Sequence, residues 1–249
     1  CTSSGQKWIQ LRNSGVLVVK EGADPDVISN NDVKKLSTSN GLASQTVNCF
    51  AEDSDGAIWV GTSQGLSVFY FQNEIFNNPS YEAEYILIET DDGYVEELFN
   101  NTEILDIKVD GANRKWIGTK SNGVFLISED GTSQIHNFTK ENSHLLGNTV
   151  YEIAIIPGSG EVFFVTESGL CSYRSDASES KSSFDEVYIF PNPVKRHYSG
   201  KISITGLAHD TNVKITDISG NLVYEASSLG GTVAWDGCNF DGHKVNTGV

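Results

Sequence analysis

One short apolar phrase recurs four times along the chain, and its spacing restricts the fold more than any other feature. Each copy centres on an aromatic residue: Trp8, Trp59, Trp116 and Phe163. Two copies read Trp-x-Gly-Thr, and each copy is followed by a glycine and a second apolar run. The steps between the aromatic residues are 59 − 8 = 51, 116 − 59 = 57 and 163 − 116 = 47 positions. A period of this length is typical of the blades of a β-propeller.

Within each repeat, short runs of β-branched and aromatic residues alternate with turn residues, with no helical periodicity between them. The second copy predicts strands at 47–52, 57–62 and 66–71. Its turn, Asp53-Ser54-Asp55-Gly56, suits a hairpin because Gly tolerates positive φ and Asp caps its own backbone. A fourth, outer strand is predicted at 33–36 and at 134–138. A four-stranded sheet alone has open edges and little core, so the sequence predicts an all-β propeller of packed sheets.

The first and last repeats are incomplete. The first begins at its second strand, because only residues 1–5 precede the Lys7-Trp8 phrase, and the last ends after its third strand at Tyr173. Four repeat cores are fewer than most propellers contain. We therefore expect residues 1–173 to be the C-terminal part of a propeller that upstream sequence closes.

Composition excludes several classes of partner. The chain has 33 acidic and 17 basic residues, giving a net charge of −16, which disfavours nucleic acid and anionic membrane surfaces as general partners. The four cysteines lie far apart without a Cys-x-x-Cys pair, which favours ordinary structural cysteines over a disulfide or metal site. No run of eighteen apolar residues occurs, so no transmembrane segment is predicted.

The pattern changes after the polar segment 174–183, which we predict to be a linker. Two prolines in Phe190-Pro191-Asn192-Pro193 give an extended segment that does not fit a central strand. Short strands are predicted at 202–204, 213–216 and 222–224, with the turn 217–221 joining the last two into a hairpin. Residues 184–249 are therefore predicted to form a small antiparallel, immunoglobulin-like β-sandwich.

Both halves of the chain resemble known families. Residues 47–69, with the phrase 53–62 at their centre, resemble the two-component-regulator propeller repeat, which occurs in extracellular sensor regions. The tail resembles the C-terminal sorting domain of the type IX secretion system, at residues 190–193, 213–220, 235–237 and 242–249. A propeller followed directly by such a domain is similar to the surface-exposed propeller component of that system, and the combination is more specific than either motif alone.

The resemblance implies a non-enzymatic protein of the outer membrane, cell surface or periplasm that needs no cofactor. Its implied partners are anionic lipopolysaccharide or a related glycan and the sortase that attaches secreted cargo. The sorting domain normally continues beyond the position of Val249 into its last strand, so we expect 184–249 to lack that strand.

Two other functions remain open at this stage. One is the extracellular or periplasmic sensor propeller of a two-component system, which would recognise an oligosaccharide and would have a membrane-spanning helix after the β-sandwich. The other is a secreted enzyme that uses the tail as an export signal, which would need a catalytic domain upstream.

The sequence predicts no catalytic, cofactor-binding or metal-binding residues. The five histidines fall in different segments, and neither a Gly-x-Ser-x-Gly elbow nor a phosphate-binding glycine loop occurs. Acidic pairs in turns could contribute calcium ligands: Asp53/Asp55, Asp91/Asp92 and Asp236/Asp241. Turn formation is favoured for all three pairs because no complete calcium loop surrounds them.

Four charged residues are the candidate ligand contacts. Asp106 and Glu152 occupy the same position in two first strands, which line the central channel of a propeller; a solvated channel wall is the alternative. Lys195 and Arg196 begin the densest basic cluster and could bind phosphate or an acidic sugar; a solvated loop is the alternative. The recurring tryptophans are predicted to pack between blades rather than to stack on a sugar.

Overall fold

The computed structural model describes residues 1–20, 32–89 and 93–246, and in these residues the fold is all-β. One α-helical turn, α1 (Glu74–Asn77), and a 3-10 turn at Thr38–Asn40 accompany the strands. The strands are β1 (Gln6–Leu11), β2 (Gly15–Lys20), β3 (Val33–Leu36), β4 (Val47–Glu52), β5 (Ile58–Thr62), β6 (Gly65–Phe69), β7 (Leu87–Glu89), β8 (Val95–Glu97), β9 (Ile104–Val109), β10 (Lys115–Thr119), β11 (Val124–Ile127), β12 (Gln134–Phe138), β13 (Val150–Ile156), β14 (Glu161–Thr166), β15 (Gly169–Arg174), β16 (Tyr188–Phe190), β17 (Ile202–Thr205), β18 (Asn212–Thr216), β19 (Leu222–Ser227) and β20 (Thr232–Trp235).

Each copy of the repeat forms one sheet, in which the strands follow chain order. The sheets are β1-β2-β3, β4-β5-β6, β9-β10-β11-β12 and β13-β14-β15, and they are called blades 1 to 4 below. The aromatic phrase lies in the second strand of a full blade, so blade 1 begins at that strand, as predicted. The two predicted outer strands are confirmed as β3 and β12. In blade 2, the strand predicted at 66–71 ends at Phe69, because the chain then turns into α1.

The threonine of the repeat closes the hairpin between the second and third strands. Its hydroxyl donates a hydrogen bond to the carbonyl of a glycine at or just before the start of the third strand. The Oγ1···O distance is 2.8 Å for Thr62 with Gly65, 2.8 Å for Thr119 with Gly123 and 2.9 Å for Thr166 with Gly169. Three blades therefore close this hairpin with the same Thr–Gly contact, across two intervening residues in blades 2 and 4 and three in blade 3.

The glycine of the Trp-x-Gly-Thr phrase is required by the next blade. A Cβ atom on Gly61 would lie 2.6 Å from the Sγ of Cys49 and 2.6 Å from the Cγ2 of Ile104, which begins β9 of blade 3. A Cβ atom on Gly118 would lie 3.0 Å from the carbonyl oxygen of Val150, which begins β13 of blade 4. The first strand of each following blade thus packs against a side-chain-free position.

Two buried clusters connect successive blades. The first contains Trp8 and Val16 from blade 1 and Val60 and Phe69 from blade 2. The second joins blade 2 to blade 3 and contains Trp59, Val68, Ile107 and Ile117. Blades 2 and 3 bury apolar residues on both of their faces, which explains why β5, β6 and β10 are buried along their whole length, whereas β1 of blade 1 and β14 of blade 4 keep exposed positions.

The C-terminal part contains two small sheets, β16-β17-β20 and β18-β19. Ile204 and Val233 of the first sheet form a cluster with Leu207, and Val213 and Tyr224 of the second sheet pack against it. The predicted hairpin at 213–224 is confirmed as β18–β19, which pair in antiparallel register. These two facing sheets form the expected small β-sandwich.

The chain divides into two compact units. The first comprises residues 1–109, 113–154 and 163–171, and the second comprises residues 110–112, 155–162 and 172–249. Within the second unit, the segment predicted as a linker contains buried Ala177 and Ser178. The domain boundaries at 173 and 183 stay a prediction. Within the described ranges, no helix is long and apolar enough to cross a bilayer.

Candidate functional site

The first strands of blades 2, 3 and 4 carry three different side chains at one aligned position: Cys49, Asp106 and Glu152. Cys49 pairs with Gly61 in β5, and Asp106 pairs with Gly118 in β10. Each of these strands is an edge strand of its sheet. In blades 2 and 3, the repeat therefore places a different side chain beside the glycine of the Trp-x-Gly-Thr phrase.

The carboxylate of Asp106 connects two blades. Asp106 is 7% exposed, and its Oδ2 accepts a hydrogen bond from the backbone N–H of Ile153 in β13 at 2.8 Å. Its Oδ1 accepts from the backbone N–H of Ile107 at 2.9 Å and from the Nζ of Lys108 at 2.7 Å. Three donors within the protein thus surround this carboxylate, which gives it a structural role in joining blades 3 and 4.

Glu152 lies beside the Asp106–Ile153 contact, but its side chain is exposed. It follows Tyr151, which is 56% exposed, along the same edge strand. The two predicted channel residues therefore differ in availability, since Asp106 is buried and Glu152 is exposed. A ligand-binding role for this pair stays a prediction.

Cys49 occupies the same aligned position in blade 2, and its thiol is unreactive. Burial, with a smaller contribution from the nearby Asp106 carboxylate, raises the pKa of its thiol to about 12, and Lys108 partly opposes this rise. The thiolate is the nucleophilic form, so this thiol is unreactive near neutral pH. All four cysteines are free, with Cys49 in β4, Cys171 in β15, Cys238 outside the strands and Cys1 exposed before β1.

The predicted basic cluster lies in the loop between β16 and β17 of the second unit. Lys195 and Arg196 are both exposed. The carbonyl of Lys195 accepts a hydrogen bond from the backbone N–H of Tyr198 at 2.9 Å, and the Tyr198 hydroxyl donates to the carbonyl of Lys201 at 2.9 Å. These contacts order the loop backbone and leave the ammonium and guanidinium groups on the surface.

Sequence reasoning missed a buried cation between blades 2 and 3. The side chain of Lys115 is 0% exposed and that of Asp53 is 4% exposed, and their Nζ and Oδ2 atoms are 3.1 Å apart. The Lys115 ammonium also lies 4.5 Å from the centroid of the Trp59 ring. Burial lowers the pKa of Lys115, and the Asp53 carboxylate partly offsets this effect. A signal existed in the sequence, because an Asp precedes both Trp59 and Trp116 by six positions.

The preference for turn formation by the acidic pairs is confirmed where the structure describes them. Asp53 Oδ1 accepts from the backbone N–H groups of Asp55 and Ala57 at 3.1 and 2.9 Å, and its Oδ2 accepts from Trp59 Nε1 at 2.8 Å. Asp236 Oδ1 accepts from the backbone N–H of Cys238 at 2.9 Å. The pair Asp91/Asp92 lies outside the described residues. In the part of the chain that is described, no group of three His, Cys, Asp or Glu side chains could hold a metal ion.

The predicted packing role of the recurring aromatic residues is also confirmed. The Trp8 ring lies 5.4 Å from that of Phe69 in the next blade, in an edge-to-face arrangement. The Trp116 ring lies 5.5 Å from that of Phe164 in blade 4. Both tryptophans are buried, at 8% and 0% exposure, so neither offers a free face to a sugar.

An open cavity of about 590 Å³ lies where the N-terminal residues meet the end of blade 2. Its lining is polar and apolar in about equal parts and includes Ser4, Asp55, Gln72 and Glu74, together with Phe71, which is 64% exposed. The Ser4 hydroxyl already donates a hydrogen bond to Gln72 Oε1 at 2.6 Å. Carboxylate and amide groups beside an exposed aromatic ring suit a polar ligand with an apolar face.

Comparison with known proteins gives one matching family profile and one structure that superposes well. Residues 41–64 match the sequence profile of the family described as Two component regulator propeller. The structure of PorZ, described as an essential bacterial surface component of the type-IX secretion system of Porphyromonas gingivalis, superposes with a TM-score of 0.63. By sequence and fold, this chain is similar to PorZ. The identity is 28%, and the alignment covers 99% of this chain and 35% of PorZ, so the chain spans about a third of that protein's length.

Other solved structures superpose more loosely. The extracellular domain of a protein described as a hybrid two component system from B. thetaiotaomicron shares 16% identity, with 93% of this chain and 26% of that chain covered and a TM-score of 0.44. A structure described as a gluconolactonase shares 15% identity over 68% of this chain and 48% of that chain, with a TM-score of 0.41. Superpositions as loose as these two carry no argument about function. The search of curated proteins returned no match.

Proposed function

We propose that this chain is part of a non-enzymatic surface scaffold of a type IX secretion system. The similarity to PorZ carries the proposal, because it extends over 99% of the chain and so includes both the repeats and the C-terminal sandwich. The polar groups that the blades bring together support a scaffold, since Asp53 and Asp106 are engaged by donors of the neighbouring blade. A carboxylate saturated in this way stabilises the fold and is not free to act on a substrate.

The proposed ligand is anionic lipopolysaccharide or a related glycan, and the proposed protein partner is the sortase of the system. Lys195 and Arg196 are the residues we assign to the glycan, because both are exposed and adjacent in the loop after β16. Guanidinium and ammonium groups form short, charge-assisted hydrogen bonds to phosphate and to acidic sugars. Such a local basic site offsets the net charge of −16, which would otherwise repel an anionic glycan.

A titration of the full chain with purified anionic lipopolysaccharide tests this assignment. We expect saturable binding that weakens as salt is raised, and a loss of about tenfold in affinity for the Lys195→Gln/Arg196→Gln variant. The matched control is Arg12→Gln/Lys140→Gln, which removes the same two charge types from exposed positions in the first unit. Absence of saturable binding, or equal weakening in both variants, would exclude the basic loop as the glycan site.

The second candidate function is an oligosaccharide-binding sensor propeller of a two-component system, at the cell surface or in the periplasm. The match of residues 41–64 to the two-component-regulator propeller family favours it. In this case the exposed Glu152 would be the ligand contact, and Asp106 would hold its strand in place. Binding of a neutral oligosaccharide that is lost in Glu152→Gln and kept in the basic-loop variant would support the sensor over the scaffold.

A further inference from the structure

After its third strand, blade 2 has a longer segment than blade 3. From the end of the third strand to the start of the next blade, the chain advances 35 positions in blade 2 (104 − 69) and 23 positions in blade 3 (150 − 127). Blade 3 uses this segment for a full outer strand, β12. Blade 2 instead makes a single bridge, in which Val68 and Glu84 exchange hydrogen bonds of 2.9 and 2.8 Å. The chain then forms the separate hairpin β7–β8.

The β7–β8 hairpin has two distinct faces. Ile86, Ile88 and Leu98 lie on one face and belong to or pack against the buried cluster between blades 2 and 3. The register pairs Leu87 with Glu97 and Glu89 with Val95, so these four side chains share the opposite, outer face. The outer face therefore alternates apolar and acidic side chains both along each strand and across the pair.

The apolar side chains of the outer face are unusually accessible. Leu87 is 60% exposed and Val95 is 64% exposed, and Tyr85, two positions before Leu87, is 38% exposed. A two-stranded hairpin with one solvated face normally carries polar residues there. Burial raises the pKa of the Tyr85 hydroxyl, and the nearby Glu97 and Glu82 carboxylates raise it further, which places acidic groups next to this aromatic ring.

The charge of the segment has one sign. Residues 82–97 contain seven acidic residues and no Lys or Arg. Five of the seven belong to the described residues, and all five are exposed: Glu82, Glu84, Glu89, Glu96 and Glu97. No cation within the segment itself neutralises these carboxylates. Glu89 and Glu97 lie on the outer face, whereas Glu96 pairs with Ile88 on the opposite face, so the outer face is acidic and apolar at the same time.

We propose that the outer face of the β7–β8 hairpin is a docking surface for a basic protein segment that presents cationic and apolar side chains in turn on one face. Charge complementarity selects this occupant, since a second copy of the chain would present the same acidic hairpin. Nucleic acid and anionic lipid have the wrong sign. Because successive side chains of an extended segment point to opposite faces, alternation at every second position would place a cation against Glu89 or Glu97 and an apolar side chain against Leu87 or Val95.

Fluorescence anisotropy of labelled peptides with the full chain tests this proposal. The probes are a short Lys–Val peptide, in which Lys and Val alternate at every second position with Ser between them, and a matched Lys–Ser peptide, in which Ser replaces each Val. We expect the Lys–Val peptide to bind about tenfold more tightly than the Lys–Ser peptide, because only the first supplies apolar contacts. Equal affinity for the two peptides would overturn the proposal, since charge alone would then explain binding.

Two double variants locate the site. We expect Leu87→Ser/Val95→Thr to remove the preference for Lys–Val over Lys–Ser, and Glu89→Gln/Glu97→Gln to weaken both peptides by about fivefold or more. The matched control is Asp185→Asn/Glu186→Gln, which removes two exposed carboxylates from the second unit. Equal weakening by the control would mean that the peptides bind the general negative charge of the protein, and the proposal would fail.

Two measurements on the unaltered chain keep the test independent of variant folding. Hydrogen exchange with saturating Lys–Val peptide should protect residues 85–89 and 93–97 more than the strands of blade 3. Protection elsewhere, with none in this hairpin, would refute the site. Sedimentation over a range of concentrations examines the other occupant: self-association that Leu87→Ser/Val95→Thr abolishes would identify a second copy and overturn the basic partner.

Discussion

The two units of this protein are held together by different kinds of buried contact. In the first unit, blades are joined by charged and hydrogen-bonding side chains that are almost completely buried, such as Lys115 with Asp53 and Asp106 with Ile153. In the second unit, the sandwich core is a small apolar cluster of Ile204, Leu207 and Val233, and a buried hydrogen bond of 2.7 Å between Ser178 and Thr232 joins neutral hydroxyl groups. The ion pair of Lys181 with Glu186 in this unit is solvent-exposed, with side chains that are 52% and 76% exposed.

This difference follows from how each unit gains its stability. Blades 2 and 3 bury apolar residues on both faces. Polar side chains at the contact between blades therefore lose water and must find partners in the neighbouring blade. A two-sheet sandwich leaves its outer faces in water, where charged groups remain hydrated. The aromatic and apolar side chains of β16, which are 49% to 64% exposed, show how little of that sheet is covered within the second unit. We therefore expect mutations of the buried polar contacts between blades to cause the largest losses of stability.

Asp53→Ala should cause the largest loss of stability. It leaves the fully buried Lys115 ammonium without its carboxylate, and breaking a buried pair on one side costs about 3–5 kcal/mol of unfolding free energy. Chemical denaturation monitored by tryptophan fluorescence measures this loss. The matched control is Glu103→Gln, which removes the carboxylate of an exposed pair, Lys120–Glu103, at 2.6 Å and should cost less than about 1 kcal/mol.

The double variant Asp53→Ala/Lys115→Met tests whether the unpaired Lys115 cation causes this loss of stability. Removing both charges eliminates the uncompensated cation, so the double variant should recover much of the stability that Asp53→Ala loses. Equal costs for Asp53→Ala and Glu103→Gln would show that burial of the ion pair does not distinguish the blades from the exposed ion pairs of the molecule.

Truncation of one leucine in each unit compares the two cores directly. Leu126→Ala in β11 and Leu207→Ala in the sandwich remove the same atoms from sites that are 1% and 4% exposed. Large-to-small changes of this kind cost about 2–5 kcal/mol, depending on how far the site can collapse. We expect Leu126→Ala near the upper end and Leu207→Ala near the lower end, because the small sandwich cluster can relax. The reverse order in denaturation experiments would contradict this comparison of the cores.

Gly61→Ala should have a smaller but specific effect on the contact between blades 2 and 3. The added methyl group would lie 2.6 Å from Cys49 Sγ and from Ile104 Cγ2, and overpacking of this kind costs about 1–3 kcal/mol. Gly158→Ala is the control, because a Cβ atom there meets nothing within 4 Å. Thermal unfolding should separate the two variants. If Gly61→Ala unfolds at the same temperature as Gly158→Ala, the glycine of the repeat is not explained by the neighbouring blade.

Sequence reasoning succeeded where the cause is local and periodic. The strands at 33–36 and 134–138, the Asp53 turn and the hairpin β18–β19 each follow from apolar alternation and turn residues within a few positions. It failed where the cause lies in a neighbouring blade. Lys115 reads as a surface lysine, and its buried role depends on Asp53, which lies 62 positions earlier (115 − 53).

The candidate site shows the same limit. Alignment of the repeats placed Asp106 and Glu152 at one position, and in the structure the Asp106 carboxylate accepts a hydrogen bond from the backbone N–H of Ile153, the residue after Glu152. Their different exposure could not be read from the alignment, because it depends on which backbone N–H group of blade 4 approaches the Asp106 carboxylate. The β7–β8 hairpin was also missed, since its strands of three residues are too short for periodicity to identify.

Glu52 gives the smallest expected effect and tests whether polar contacts also matter at the margin of the first unit. Burial acts to raise its pKa, but hydrogen bonds from Ser3 and Gln72 outweigh burial and hold the pKa below the ordinary 4.5. A lowered pKa means that this stabilisation is present above the ordinary pKa and is lost as the pH falls through the lowered value.

The Glu52→Gln variant should therefore be slightly less stable than the unaltered protein above about pH 5, and the difference should shrink towards pH 3. Denaturant titrations at several pH values measure it, with the exposed Glu82→Gln as the control. Because Glu52 is only partly buried, the loss should stay below about 1 kcal/mol, well under that of Asp53→Ala. A difference between the proteins that grows as the pH falls would reverse the sign of this contact. A Glu52 effect as large as that of Asp53 would mean that position on the edge of a blade, rather than burial between blades, sets the value of a polar contact in this fold.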